Sequence, residues 1–322
     1  MTSVVASSKL QLEFGGHHER ITDIKIREED GKPILYTASR DKTIKGWEFV
    51  RGETGETLAK LSKFYEGHGG FVSGISLANN GKYLISVGTD SIMRLWPSNS
   101  SENKKHVSHN EKPYCVLTHS TGSADSESSS EYIFTGGKQP GLNIWNTNLE
   151  LKKQLKRSDN PAASITAIKA VPKKPEVVIC GYTDGAIVAW NIETGEVEST
   201  MKGHASIIDA LVISPDGSLC ATAGRDKSVL LWDLKEKGSN KCEISVGDSV
   251  HCLGFAISAY WLAAGTDTSI VIWDILERDV ILEIPNPEDC KGSCTSITWI
   301  DGFTLIAGYS DGTIRQYSVE IE

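Results

Sequence analysis

Three segments of the chain carry a histidine, a hydroxyl residue and an aspartate, the residue types that hydrolytic enzymes combine in a catalytic triad. In each segment a tryptophan follows the aspartate by six residues. The three sets are His17, Thr37, Asp41 and Trp47; His68, Ser86, Asp90 and Trp96; and His204, Thr222, Asp226 and Trp232. One active site needs one triad, whereas three copies at matching positions indicate a repeated structural element. We therefore predict that each set forms a buried hydrogen-bond chain from indole to hydroxyl, imidazole and carboxylate, and that no residue is catalytic.

The sequence offers little other chemistry. It contains no P-loop and no G-x-G-x-x-G fingerprint. Cys290 and Cys294 form an isolated C-x3-C pair, and a structural zinc ion usually needs four ligands. We predict a protein that is not an enzyme and that uses neither a metal ion nor a cofactor.

The aspartate–aromatic pair recurs beyond these three segments. Further pairs six residues apart are Asp184 and Trp190, Asp267 and Trp273, and Asp311 and Tyr317. A seventh aromatic residue, Trp145, has Gln139 in place of the aspartate. The seven aromatic residues are spaced 49, 49, 45, 42, 41 and 44 residues apart. This period, with Gly-His upstream and Trp-Asp downstream, is typical of WD40 repeats, and seven of them predict an all-β, seven-bladed β-propeller.

The hydroxyl position varies together with the histidine. Where the histidine is missing, the hydroxyl residue is missing as well, and Cys180, Ala263 and Ala307 stand in its place. A partly satisfied buried network costs more than none, so this joint loss favours the structural interpretation.

The two ends of the chain are expected to meet. Residues Lys9–Phe14 alternate in polarity, and we predict that they form the outermost strand of the last blade, beside Thr313–Ile321. Because blades must stack on their neighbours, residues 1–322 are interpreted as a single domain. Within the third repeat, Ser120–Glu131 is rich in Ser, Asp and Glu and is predicted to be a mobile loop.

Composition excludes several classes of protein. The formal net charge of −9 argues against free, non-specific DNA binding. Seven scattered cysteines, mostly in apolar strand contexts, suggest reduced thiols in a cytosolic or nuclear protein. The N-terminus does not resemble a signal peptide, and no apolar stretch approaches 18 residues, so we expect no membrane insertion and a cytoplasmic location.

Two turns combine their aspartate with a pair of cations. Arg40 and Lys42 flank Asp41, and Arg225 and Lys227 flank Asp226. If the aspartate turns inward to its network, the cations face solvent. They are then either ordinary solvated turn residues or contacts to phosphate or to an acidic partner.

Several segments resemble one particular WD40 family. They are TASRDKTIKGW, GHGGFVSGISLANNGKYLISVGTD, GHASIIDALVISPDGSLCATAGRDKSVLLWDL, AYWLAAGTDTSIVIWDI and CTSITWIDGFTLIAGYSDGTIRQYSV. Across nearly its whole length the chain is similar to the receptor for activated C kinase family. That resemblance implies a non-catalytic scaffold on the head of the small ribosomal subunit, which recruits signalling and translation factors. It also implies that Arg40 and Lys42, which match the family's blade-one turn, contact ribosomal RNA.

The chain departs from that family in two places. Blade three has lost its turn aspartate and gained the acidic insert, and the segment Glu277–Ser293 looks shorter than the family's projecting loop. Two alternatives therefore stay open, a G-protein β-like signalling subunit and a peptide- or histone-reading propeller of a nuclear complex. Only 15 residues precede the first Gly-His dipeptide, Gly16-His17. This is too short for the N-terminal coiled-coil helix that the first alternative needs.

Overall fold

The chain folds into seven four-stranded antiparallel sheets arranged as the blades of a propeller. The computed structural model describes residues 6–29, 31–52, 56–100, 102, 105–121, 130–138, 140–257, 260–286 and 292–321. In this part of the chain there is no helix long and apolar enough to cross a membrane. The predicted seven-bladed WD40 propeller is confirmed.

The strands follow the chain in simple meanders. Blade one contains β2 (Ile21–Glu29), β3 (Lys32–Ser39), β4 (Ile44–Arg51) and β5 (Thr57–Tyr65). Blade two contains β6 (Val72–Ala78), β7 (Tyr83–Gly88), β8 (Ile92–Pro97) and β9 (Lys105–Ser108). Blade three contains β10 (Pro113–Thr121), β11 (Ser130–Gly137), β12 (Leu142–Asn146) and β13 (Leu151–Leu155). Blade four contains β14 (Ile165–Val171), β15 (Lys174–Tyr182), β16 (Ile187–Asn191) and β17 (Val197–Met201).

The remaining blades repeat this order with one exception. Blade five contains β18 (Ile208–Ile213), β19 (Leu219–Gly224), β20 (Ser228–Asp233) and β21 (Ser239–Ser245). Blade six contains β22 (Val250–Phe255), β23 (Trp261–Thr266), β24 (Ser269–Asp274) and β25 (Asp279–Pro285). Blade seven contains β26 (Cys294–Trp299), β27 (Thr304–Tyr309), β28 (Thr313–Ile321) and the N-terminal strand β1 (Ala6–Gly15).

The apolar core lies between the blades rather than inside any one of them. The second strand of a blade is covered on both faces, and every residue of β19 and of β23 is buried. Outer strands such as β5 are largely exposed. A single cluster joins Tyr36 and Ile44 of blade one to Ile75, Leu84 and Trp96 of blade two. Each blade therefore depends on its neighbours to bury its faces.

The N-terminal strand closes the ring, as the alternation at Lys9–Phe14 predicts. β1 pairs antiparallel with β28, with Leu10 opposite Tyr317 and Phe14 opposite Ile314. The Phe14 ring also lies 4.9 Å from the ring of Trp47 in blade one, between centroids. The strand is longer than predicted, because pairing continues to Ala6 and Gly15. Closure thus joins the two ends of the chain and seals blade seven against blade one.

Blades seven and one approach each other closely at a glycine, Gly312. Gly312 has φ +89°, and its carbonyl oxygen accepts hydrogen bonds from the backbone N–H groups of Gly16 and His17, both at 3.0 Å. A Cβ at this position would collide with the carbonyl oxygen of His17. A side chain at residue 312 would therefore force the two blades apart as well as strain the backbone.

The acidic insert of blade three differs from its prediction at both ends. Ser120 pairs with Glu131 and Thr121 with Ser130, so these residues extend the β10–β11 hairpin and are not loop. Cross-strand pairing continues because the hairpin ladder satisfies the backbone beyond the buried part of the blade. Residues 122–129 lie outside the described part of the chain, as do residues 287–291 of the segment Glu277–Ser293.

Removing the closing strand is expected to destabilise the whole ring. Deletion of residues 1–14 leaves the nine-residue edge of β28 unpaired and uncovers the apolar contact around Trp47. We expect a clearly lower melting temperature and concentration-dependent association, measured by differential scanning calorimetry and light scattering. Deletion of residues 1–5, which precede β1, is the matched control and leaves both properties unchanged. Equal melting curves for the two deletions would contradict this account of closure.

Candidate functional site

A complete polar network lies in blade five. The indole N–H of Trp232 donates to the hydroxyl oxygen of Thr222 at 2.8 Å, and this hydroxyl lies 2.9 Å from Nε2 of His204. The other ring nitrogen of His204, Nδ1, lies 2.9 Å from a carboxylate oxygen of Asp226. The hydroxyl accepts a hydrogen bond from the indole N–H and can donate one to Nε2 of His204. Nδ1–H of His204 in turn donates to the carboxylate of Asp226. Each side chain of this four-residue network then has a hydrogen-bond partner.

Blades one and two contain the same arrangement at similar distances. The histidine–carboxylate, histidine–hydroxyl and indole–hydroxyl distances lie between 2.7 and 3.0 Å. The residues concerned are His17, Asp41, Thr37 and Trp47 in blade one and His68, Asp90, Ser86 and Trp96 in blade two. The three hydroxyl residues Thr37, Ser86 and Thr222 are completely buried. A substrate cannot reach such a hydroxyl, so the arrangement is unsuited to nucleophilic catalysis.

The network aspartates are held ionised. Burial by itself would raise the pKa of Asp41, but hydrogen bonds from His17 and Thr43 outweigh it, so that the pKa lies below its usual value. The pKa values of Asp90 and Asp226 are lowered in the same way, against burial, by hydrogen bonds from His68 and His204. Each of these carboxylates is charged and accepts its hydrogen bonds from within its own blade. The residues beside it in the turn therefore face outward.

Blade four replaces the histidine network with a different one, which the sequence pattern did not reveal. Arg157 donates from Nη1 to both carboxylate oxygens of Asp184 at 2.9 Å, and its guanidinium stacks 4.8 Å from the ring centroid of Tyr182. The phenol oxygen of Tyr182 in turn accepts the indole N–H of Trp190 at 3.1 Å. Hydrogen bonds to Asp159 and Asp184 raise the pKa of Arg157 above its usual value, although burial opposes them. In blade four, Arg157 and Tyr182 thus link the tryptophan to the turn aspartate, as histidine and a hydroxyl residue do in blades one, two and five.

Blade three retains only part of the network. The indole N–H of Trp145 donates to Thr135 at 2.9 Å, and the His109 ring packs against Trp145 with centroids 4.9 Å apart. Nε2 of His109 is buried and has no hydrogen-bond partner within the described ranges. Burial lowers the pKa of His109 to about 4. Gln139, which replaces the aspartate in the sequence, lies outside the described residues.

The Arg40–Asp41–Lys42 turn presents two cations on the surface. The carboxylate of Asp41 accepts hydrogen bonds from the backbone and hydroxyl of Thr43 at 3.0 and 2.6 Å, besides its contact with His17. Arg40 and Lys42 are both exposed, and neither forms an ion pair with any described residue. The turn therefore places two free positive charges beside a carboxylate that is fully occupied.

Arg40 has a second cation close to it. Its backbone N–H donates to the carbonyl oxygen of Arg20 at 3.0 Å. Both residues line a cavity of about 570 Å³, which shares Thr22, Ser73 and Asp209 with the central channel that the seven innermost strands surround. Burial lowers the pKa of Arg20, and the charge of Arg40 lowers it further. The Arg40 guanidinium also lies 5.8 Å from the ring centroid of Phe71. Arg20 and Arg40 thus bring two positive charges to this cavity, which Asp209 also lines.

The equivalent turn of blade five is arranged differently. Arg225 donates from Nε to the carboxylate of Asp209 at 2.9 Å, so its charge is partly compensated within the protein. Lys42 and Lys227 occupy the same turn position, with left-handed φ values of 73° and 64°. Of the two turns, the one in blade one carries more uncompensated positive charge.

The described residues contain no group of three or more His, Cys, Asp or Glu side chains arranged to hold a metal ion. Of the C-x3-C pair, Cys294 is buried and described, whereas Cys290 lies outside the described ranges.

Comparison with known proteins agrees with the blade structure. The family model "WD domain, G-beta repeat" matches residues 8–48, 59–97, 195–233 and 240–274. The chain is 30% identical over 315 residues to the small ribosomal subunit protein RACK1 of Drosophila melanogaster, covering 95% of both chains. The chain belongs to the RACK1 family of WD40 proteins. A second relative, the cross-pathway control WD-repeat protein 2 of Flammulina velutipes, is 30% identical over 313 residues, which cover 94% of this chain and 95% of the relative. The resemblance inferred from the sequence motifs is confirmed, and fold and family point to a non-catalytic WD40 scaffold.

The indole hydrogen bond of blade five is expected to contribute measurably to stability. Trp232→Phe keeps an aromatic ring but removes the indole N–H that donates to the hydroxyl of Thr222, the group that links the tryptophan to His204. We expect a loss of about 1–3 kcal/mol in the free energy of unfolding beyond that of the control, measured by urea titration. Trp273→Phe in blade six is the matched control, since Ala263 stands there in place of the hydroxyl residue. Equal losses in the two variants would argue against the network.

The buried imidazole of blade three is expected to make stability depend on pH. The folded state holds His109 neutral down to about pH 4, whereas the unfolded chain takes up the proton near pH 6.5. The unfolded state therefore binds more protons in this window, and stability falls as pH drops from 6.5 towards 4, by up to about 1.4 kcal/mol per pH unit. His109→Phe should flatten this part of the profile, whereas replacing the exposed His18 with Asn should not. A His109→Phe profile parallel to that of the wild type would refute this prediction.

Proposed function

We propose that the protein is a non-catalytic scaffold that binds the head of the small ribosomal subunit and recruits signalling and translation factors to it. The observation that carries this proposal is the Arg40–Asp41–Lys42 turn, where two exposed cations flank a carboxylate already engaged by His17. Arg40 and Lys42 would contact phosphates of ribosomal RNA, alongside contacts to ribosomal proteins. The name of the Drosophila relative, a small ribosomal subunit protein, supports the same assignment.

The chemistry of the turn suits a phosphate backbone. Arginine can bind a phosphate group through two parallel hydrogen bonds, and lysine adds a mobile point charge. Arg40 has no carboxylate partner among the described side chains, unlike Arg225, so it gives up no internal ion pair on binding. Arg20, which is linked to Arg40 through the backbone, strengthens the positive potential at the same point.

The backbone does not account for lysine at position 42. The residue has φ 73°, and the equivalent positions of blades four and seven hold Gly185 and Gly312, with φ values of +80° and +89°. A left-handed residue other than glycine costs about 1 kcal/mol. Its exposed ammonium group adds a positive charge that glycine lacks. Lys227 of blade five has the same conformation, and what distinguishes the two turns is that Asp209 pairs with Arg225 whereas no described carboxylate pairs with Arg40.

An acidic protein must concentrate its cations to approach RNA. The chain carries 42 acidic and 33 basic residues, so its overall field repels a polyanion. A local group formed by Arg20, Arg40 and Lys42 overcomes this repulsion only at short range, which favours a specific contact over non-specific binding. In this role we propose that residues 1–322 act as a single domain in the cytoplasm.

A second candidate is a peptide-binding scaffold of a non-ribosomal complex, either G-protein β-like or nuclear. The cavity that Arg20 and Arg40 line favours it, because the half-exposed rings of Phe71 and Tyr114 lie beside the arginines there. Exposed aromatic rings next to cations suit an acidic peptide. This candidate predicts binding that does not involve ribosomal subunits.

The double variant Arg40→Asp, Lys42→Glu tests the ribosomal proposal. Reversing both charges leaves the buried network of blade one intact, so the melting temperature should stay close to that of the wild type. We expect the wild-type protein to sediment with small ribosomal subunits in a sucrose gradient and the variant to stay at the top. The wild-type association should weaken as salt increases, because phosphate contacts release counterions.

The equivalent turn of blade five provides the control. Arg225→Asp, Lys227→Glu makes the same change in net charge at the same kind of turn and should still co-sediment. If the folded Arg40 and Lys42 variant co-sediments as the wild type does, the proposed contact is wrong. If the wild-type protein never sediments with small subunits, the ribosomal proposal fails and the peptide-binding scaffold takes its place.

A further inference from the structure

Two cysteines meet at the boundary between blades six and seven. The sulfur atoms of Cys252, in β22, and Cys294, in β26, lie 3.9 Å apart. Both residues are buried, Cys294 completely. They belong to neighbouring innermost strands, so a bond between them would join one blade to the next.

Comparison of the repeats shows how unusual this pair is. The innermost strand begins with an aliphatic residue in five blades, at Ile21, Val72, Ile165, Ile208 and Val250. In blade seven the same position holds Cys294. Two residues further along that strand, blades four and five have Ala167 and Ala210, where blade six has Cys252. Neither thiol is therefore demanded by the architecture of a blade.

A glycine leaves the space between the sulfurs open. A Cβ at Gly265, opposite Cys252 in the β22–β23 ladder, would lie 2.5 Å from the sulfur of Cys252 and 2.6 Å from that of Cys294. At the equivalent position of blade seven, a Cβ at Gly308 would instead meet the aliphatic side chain of Ile21. The sulfurs lie 3.9 Å apart with no side chain at residue 265 between them, and a disulfide requires that this separation shorten to about 2.05 Å.

The pair is accessible to a small reagent from one side. Cys252 lines the central channel of the propeller, whereas Cys294 lies behind it. Burial raises the pKa values of the thiols of Cys180 and Cys220, which are completely buried and do not line the channel. Those thiols stay protonated and react slowly with oxidants, because the thiolate is the reactive form.

We propose that Cys252 and Cys294 are a redox modification site, at which a peroxide converts two thiols into a disulfide between blades six and seven. The thiol of Cys252 loses its proton, the thiolate attacks one peroxide oxygen, and the O–O bond breaks to give a sulfenic acid; the leaving hydroxide takes up that proton and departs as water. The sulfur of Cys294 then attacks the sulfenic sulfur, the S–O bond breaks, and a second water leaves. Two electrons pass from the sulfurs to the peroxide, and a dithiol reductant reverses the change by exchange.

The disulfide would reinforce the part of the ring where the two ends of the chain meet. Blade seven contains both chain ends, and its inner strand β26 would become covalently tied to β22. Such a bond restricts the unfolded chain and opposes separation of blades six and seven. The oxidised protein should therefore hold its ring closed at a higher temperature than the reduced protein.

The experiment compares the reduced full-length protein before and after treatment with hydrogen peroxide. Free thiols are then blocked with N-ethylmaleimide, and the protein is digested without reductant and mapped by mass spectrometry. We expect a linked peptide containing Cys252 and Cys294 that disappears on treatment with dithiothreitol. The melting temperature should rise on oxidation by several degrees and return after reduction.

Three variants identify the pair. Cys252→Ala and Cys294→Val introduce residues that other blades carry at the same positions, so both should fold, and each should lose the linked peptide and the rise in melting temperature. Cys290→Ser should retain both. A linked peptide that joins Cys290 to Cys294, or the absence of any Cys252–Cys294 link after both peroxide and diamide, would overturn the proposal. None of these measurements involves ribosomal subunits, so the outcome is independent of the proposed function.

Discussion

Each blade has two apolar faces, and only a neighbouring blade on either side can remove both of them from water. The fully buried strands β19 and β23 follow from this constraint, as does the location of the core clusters between successive blades. A stack of blades ends in two exposed faces unless it becomes a ring. The pairing of β1 with β28 completes the ring and also covers a sheet edge that would otherwise attract other strands.

Polar networks connect the core to the surface turn in several blades. In blades one, two and five, the tryptophan, hydroxyl, histidine and aspartate form a satisfied chain from the core to the surface turn. Blade four reaches the same result with Arg157, Tyr182 and Trp190, and blade seven joins Tyr309 to Tyr317 through a 3.0 Å contact between their hydroxyls. The requirement is that buried donors and acceptors find partners, and more than one set of side chains meets it.

The binding surface is a consequence of these networks. Because the aspartate points inward, the residues on either side of it point outward, and their charge is free for other uses. In blade one these residues are Arg40 and Lys42, and the fold brings Arg20 beside them. In blade five, Asp209 compensates part of the charge of the matching turn. Identical turn sequences therefore differ in what they offer a polyanion, and the difference comes from neighbouring strands.

The sequence by itself determined the class of fold, the number of blades and the closing strand, because each rests on local signals. The period of the aromatic residues counts the blades, and the alternation of Lys9–Phe14 marks a strand without a partner in its own repeat. The histidine networks were also predictable, since their members keep matching positions in three repeats. The packing of distant segments decided the rest. Arg157 reaches Asp184 and Tyr182, and Cys252 meets Cys294, only because neighbouring blades and loops are pressed together, and no spacing along the chain encodes those contacts.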